Sequence, residues 1–182
     1  VGNSGTLTST STQTNITCNG GTDGTATATP SGGTSPYTYS WSSGGTSATE
    51  TGLAAGTYTC TITDAAGCIT TQVVTIVDPP AVTSTPSQTN VLCNGGSTGT
   101  ATVVASGGTP GYTYVWSPTG GNAATASGLS AGSYSCLITD ANGCPITVLF
   151  TITEPTALSC SVSVVNAGCQ ALGSATATPS GG

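Results

Sequence analysis

The chain repeats itself with a period of 75 to 76 residues, and a period of that size constrains the fold before any single residue does. CNGGTDGTATATPSGGTSPYTYSW at 18–41 returns as CNGGSTGTATVVASGGTPGYTYVW at 93–116, and a third copy opens at Cys169 with CQALGSATATPSGG. GLAAGTYTCTITDAAGC at 52–68 returns as GLSAGSYSCLITDANGC at 128–144. Trp41 maps onto Trp116, Tyr58 onto Tyr134, Cys60 onto Cys136, Cys68 onto Cys144 and Cys93 onto Cys169, with one extra residue in the glycine-rich loop after the second tryptophan. A unit this long exceeds a solenoid repeat and suits a small independent sandwich domain. The expected division is 1–78 for the first domain, 79–154 for the second and 155–182 for the incomplete start of a third.

Within one copy the punctuation is that of short strands and tight turns. A first strand precedes Cys18; a C-N-G-G turn follows, then alternating Thr and Ala from Thr25 to Thr29 and a Gly32-Gly33 turn. That Thr-rich run reads as an edge or surface strand, since ice-binding threonine ladders need a repeat every few residues. Tyr37, Tyr39 and Trp41 alternate, so their side chains leave one face of one strand, as do Tyr112, Tyr114 and Trp116. That face is assigned to the core, because few other large side chains exist; a sugar-stacking platform is the competing use. Leu53 leads to a strand from Thr57 to Thr63, a turn at Asp64 to Gly67 and a last strand to Val77, closed by Asp78-Pro79-Pro80 and in the second copy by Glu154-Pro155. Seven or so strands, a Trp on a central strand, and Tyr58 and Tyr134 each two residues before a strand cysteine predict an all-β chain of tandem immunoglobulin-like β-sandwich domains of about 75 residues.

Eight cysteines with no histidine and no C-x-x-C pair point to disulfide chemistry in an oxidising place, outside the cell or on its surface. No signal peptide is visible, and the segment is read as an internal piece of a longer protein. Because Cys18 and Cys68 recur together as Cys93 and Cys144, the expected pairing is Cys18 with Cys68 and Cys93 with Cys144, within each repeat. Pairing Cys60 with Cys68 would span roughly 10 Å, beyond disulfide reach. Cys60 and Cys136 are then small buried hydrophobes, and Cys160 is expected to pair with a strand cysteine of its own copy beyond residue 182.

Lysine, arginine and histidine are absent and six carboxylates are the only charged side chains. Counterion release on nucleic acid and docking on an anionic membrane both need the missing cations. No apolar run reaches the roughly 18 residues of a membrane helix. Each recurring acid, Asp64 with Asp140 and Asp78 with Glu154, stands alone in its turn, where a turn cap is expected of Asp64 and a calcium site would want several clustered oxygens; a site at the repeat junction using Asp78 or Glu154 is the alternative. No catalytic residue, metal ligand or cofactor site is therefore expected. Asn15-Ile16-Thr17 fits the glycosylation sequon on composition alone.

C-N-G, then G-G-T-x-P-Y-x-Y-x-W, G-L-x-A-G-x-Y and T-D-x-x-G-C, in this order and spacing, resemble the SprB-type repeat of Bacteroidota cell-surface proteins, over nearly all of both full copies. The resemblance implies long tandem arrays in very large adhesins, exported by type IX secretion and in some members moved along the surface in gliding. Cys60 and Cys136 stand where that family commonly has an aliphatic residue. The expected function is a structural stalk or filament segment of a secreted adhesin. The alternative is a polysaccharide-binding module acting through Ser42–Glu50 and Ser117–Ala126. Expected partners are neighbouring repeats, other copies in a filament, with strand completion between chains as one route, and surface polysaccharide.

Overall fold

A computed structural model describes residues 5–170 and 172–182; the first four residues of the 1–78 segment and Ala171 of the third C-Q-A-L-G segment lie outside the described residues. Every regular element among the described residues is a β-strand. The chain divides into two compact units, Val1–Val82 with Gly107–Pro110 and Asn142–Cys144, and Thr83–Ser106 with Gly111–Ala141 and Pro145–Gly182.

The first unit holds β1 (Thr8–Thr14), β2 (Gly24–Ser31), β3 (Thr38–Trp41), β4 (Thr49–Leu53), β5 (Gly56–Thr63) and β6 (Ile69–Ile76). They form two three-stranded antiparallel sheets, β1-β2-β4 and β3-β5-β6. The second unit repeats this with β7 (Thr83–Thr89), β8 (Gly99–Ser106), β9 (Thr113–Ser117), β10 (Thr125–Leu129), β11 (Gly132–Thr139) and β12 (Pro145–Ile152), in sheets β7-β8-β10 and β9-β11-β12. Each copy thus carries six strands against the seven or so expected. The glycine-rich loop after the tryptophan folds back onto β3. Trp41 donates its backbone N–H to Gly45 O at 2.9 Å and its ring Nε1–H to Ser47 O at 2.8 Å, and Trp116 Nε1–H donates to Ala123 O at 2.9 Å.

The core lies between the two sheets. Ala26, Ala28, Trp41, Leu53, Cys60, Ile62, Val74 and Ile76 form it in the first unit, with Tyr37, Tyr39 and Tyr58 partly buried against it. In the second unit Trp116, Tyr134, Cys136, Ile138, Phe150 and Ile152 are central, with Tyr112 and Tyr114 on the margin. Each fully buried aliphatic side chain contributes about 1.5–3 kcal/mol. The Thr-Ala run is a central strand and not an edge: β2 has neighbours on both sides. Its period of two turns Ala26 and Ala28 inward and Thr25 and Thr27 outward, where the hydroxyls pair across strands with Thr14 at 2.7 Å and Thr49 at 2.9 Å. The alanines leave room for the tryptophan of the same cluster.

The strand-opening glycines are equally constrained. A Cβ on Gly24 would meet Ile76 Cγ2 at 2.7 Å and Leu53 O at 2.8 Å, and one on Gly99 would meet Ile152 Cγ2 at 2.7 Å and Leu129 O at 2.8 Å. Gly24→Ala and Gly99→Ala are expected to destabilise their own unit by about 1–3 kcal/mol through overpacking. Urea denaturation of each variant checks this, and an unshifted midpoint would contradict the packing described.

Two further features fix the sandwich. Tyr58 Oη–H donates to Ala54 O at 3.0 Å and Tyr134 Oη–H to Ser130 O at 3.1 Å, the tyrosine corner of immunoglobulin-like domains. Gly32, Gly107 and Gly181 take positive φ of 73°, 72° and 86°, and the next glycine in each pair donates its N–H to Gly5 O, Pro80 O and Thr156 O. The third copy is a single hairpin, β13 (Ser159–Val165) with β14 (Ser174–Ser180), exposed throughout. Ala175 and Ala177 occupy the positions of Ala26 and Ala28 without a facing sheet.

Candidate functional site

With no cation in the chain, carboxylates find backbone N–H groups instead. Asp64 is 5% exposed and accepts from Thr34 N at 2.9 Å, Ala66 N at 3.0 Å and Cys68 N at 2.8 Å. It ties the β5–β6 turn to the Gly33-Thr34 turn, and a Cβ on Gly33 would press on Asp64 Oδ2 at 2.6 Å. The Thr34 N–H first, then those of Cys68, Ala66 and Gly67, hold this carboxyl below its ordinary value of 3.8 against the opposing effect of burial. Asp140 holds the same place in the second copy at 5% exposure. Asp23 is drawn down by the Thr17 side chain and backbone N–H, which donates to it at 3.1 Å.

A folded-state value below the unfolded one gives stability that is fully present above the unfolded value and lost as pH falls through the folded one. Thermal stability is therefore expected to hold from neutrality to about pH 4 and to fall below it. Asp64→Asn is expected to lower stability at pH 7, because an amide NH₂ replaces one accepting oxygen among converging N–H donors. It should also flatten the acid limb, which a pH series of melting curves would show. An unchanged acid limb would remove Asp64 from this role.

Asp78 and Glu154 cap the C-N-G-G turns. Asp78 Oδ1 accepts from Gly20 N at 2.9 Å and Glu154 Oε2 from Gly95 N at 2.5 Å, while Asn19 and Asn94 donate to Pro79 O at 2.8 Å and Pro155 O at 3.0 Å. Asn15 of the sequon accepts from Val77 N at 3.0 Å, and Asn90 repeats the contact with Thr153 N at 3.1 Å. Its recurrence is thus structural, since Asn90-Val91-Leu92 is no sequon. Among the described residues no group of three or more His, Cys, Asp or Glu side chains is placed to hold a metal ion.

These caps settle the geometry of the cysteines, and it corrects the within-repeat pairing. Cys18 is bonded to Cys144, not to Cys68, with Cα atoms 5.4 Å apart and 126 residues between them in sequence. Cys68 and Cys93 carry free, exposed thiols. Cys68 stands just before β6, whereas the turn of Cys18 is pinned by Asp78 just after it. The eight residues of β6 separate the two by about 26 Å. Cys93 and Cys144 are separated likewise by β12, because Glu154 holds the Cys93 turn at its far end. Each repeat therefore carries one cysteine at each pole, and the bond joins the C-N-G cysteine of one repeat, Cys18, to the cysteine after the Asp-x-x-Gly turn of the next, the turn cysteine Cys144.

Cys60 and Cys136 are fully buried thiols opposite Trp41 and Trp116 in the strand register. Burial pushes both up from the ordinary value of 9.0. The strand that carries the bridging cysteine in immunoglobulin domains presents Ala26 and Ala28 here. Cys160 and Cys169 are exposed free thiols. The loops 42–50 and 117–126 carry no aromatic side chain, and the tryptophans beside them point into the core.

Paired sheets, a buried tryptophan and a tyrosine corner, twice in tandem, define an all-β chain of immunoglobulin-like repeats. The SprB repeat family matches residues 10–46 and 85–122, the two stretches from the first strand of each copy into its post-tryptophan loop, and the chain is similar to that family there. Among solved structures, the crystal structure of Down Syndrome Cell Adhesion Molecule isoform 1.30.30, N-terminal eight Ig domains, aligns with TM-score 0.41 and 14% identity over 82% of this chain and 25% of that chain. No curated protein sequence matches the chain.

Proposed function

We propose that the chain is a structural segment of a large secreted cell-surface adhesin, in which tandem immunoglobulin-like repeats form an extended stalk or filament. The Cys18–Cys144 bond carries this reading, because a covalent tie from one repeat to the next is what an array under tension requires. The commitment of carboxylates to turns supports it, as does the family match at both copies. The disulfide fits an extracellular setting.

Small-angle scattering of the purified chain tests the proposal. A compact globule of 182 residues has a radius of gyration of about 16 Å; the stalk reading expects a clearly larger value and an elongated distance distribution, and a compact particle would reject it. A glycan array separates the polysaccharide-binding reading, since a spacer binds none of the sugars and a lectin-like repeat retains some of them.

A further inference from the structure

We infer that Cys68 and Cys93 are the two open halves of the bond already closed between Cys18 and Cys144, each made to pair with a neighbouring repeat of the array. Cys93 would bond the turn cysteine of the repeat that follows it, and Cys68 the C-N-G cysteine of the repeat that precedes it. Cys93 repeats Cys18 in register, with the same Gly96 N to Cys93 O turn at 2.9 Å as Gly21 N to Cys18 O at 2.9 Å. Cys68 repeats Cys144 after an equivalent buried aspartate. Both thiols are exposed, and neither can reach the other cysteine of its own repeat across a strand of eight residues.

A second observation stands beside Cys93. It lines a recess of about 200 Å³ together with Leu92, Pro155 and Leu158, and Leu92 and Leu158 are 79% and 74% exposed. An apolar side chain directly follows each turn cysteine, Ile69 at 66% exposure and Pro145, and a recess of that character suits such a side chain arriving with its cysteine. Closure converts two thiols to one disulfide. The two protons and two electrons pass to a small-molecule disulfide such as oxidised glutathione, which leaves as two thiols.

The inference rests on the tandem-array reading, but its test is separate from the scattering experiment. The full chain is lengthened so that residues 79–154 occur twice in succession, oxidised with glutathione, and its remaining thiols are alkylated and counted by mass. One disulfide more than in the parent chain is expected, from Cys93 of the earlier copy to the turn cysteine of the later. Cys93→Ser in the earlier copy should return the count to the parent value, while the Cys18 bond, mapped in the same sample, shows that the array has folded. An unchanged count, a within-repeat pairing, or a bond formed only between separate chains overturns the inference.

Discussion

Replacing Cys18 and Cys144 together by serine is expected to lower the unfolding free energy by about 5 kcal/mol, the loop-entropy value for a closed loop of this length. The bond closes 126 residues of sequence separation, whereas a within-repeat bond would close about 50, for roughly 4 kcal/mol. The difference in location matters more than the difference in size. A domain of about 75 residues is worth roughly 4–11 kcal/mol in total, so an inter-repeat tie makes the unfolding of one repeat dependent on its neighbour. Guanidinium denaturation of the oxidised wild type should therefore show one transition at high midpoint. The double variant, or the reduced wild type, should show a lower midpoint in the same assay. Cys68→Ser and Cys93→Ser touch free, exposed thiols and should leave the curve unmoved; a large effect from either would contradict the assignment.

Trp41→Ala and Trp116→Ala are expected to cost about 3–5 kcal/mol each, enough to unfold a marginal repeat. Each indole is almost fully buried and closes the loop after its strand by donating to Ser47 O or Ala123 O. Truncation leaves a cavity and also removes the hydrogen bond that closes the loop. Trp116 stands 5.2 Å from the ring of Phe150, where the first copy has Val74, so the second repeat should lose more than the first. Urea denaturation followed by far-UV circular dichroism reads the loss, because each single variant keeps its remaining tryptophan only in the unmutated repeat. Equal, sub-kilocalorie losses in both would contradict the core assignment.

Much of the fold was legible because the chain states it twice. The alternation Tyr37-Tyr39-Trp41 predicts one inward face, and the structure finds Trp41 fully inside with both tyrosines on the core margin. The Tyr58 corner and the Asp64 turn were readable from spacing, since both are local contacts within four residues. The course of the loop after Trp41 is not legible, because nothing in S-S-G-G-T-S-A shows that its carbonyls are taken by the tryptophan. Threonine signals an edge or surface strand, and only the pairing shows that β2 is central, with the alanines between the threonines turned to the core.

The disulfide is not legible in the sequence, and the cause is physical. Recurrence of Cys18 with Cys68 fixes that the two belong to one pattern, but it does not say whether they meet. The decisive information is that Asp78, ten residues after Cys68, caps the Cys18 turn. That long-range hydrogen bond puts the two cysteines at opposite poles. Its sequence trace is an acid before proline in both copies, Asp78-Pro79 and Glu154-Pro155, which reads equally as a strand stop or a junction site.

Consecutive repeats are covalently joined from C-N-G cysteine to turn cysteine. Peptide mapping of the unreduced chain tests it most directly, with chymotrypsin or thermolysin in place of trypsin because the chain has no lysine or arginine. A linked pair containing Cys18 and Cys144 is expected, with Cys68 and Cys93 recovered as alkylated thiols. Recovery of Cys18 linked to Cys68, together with Cys93 linked to Cys144, would contradict it.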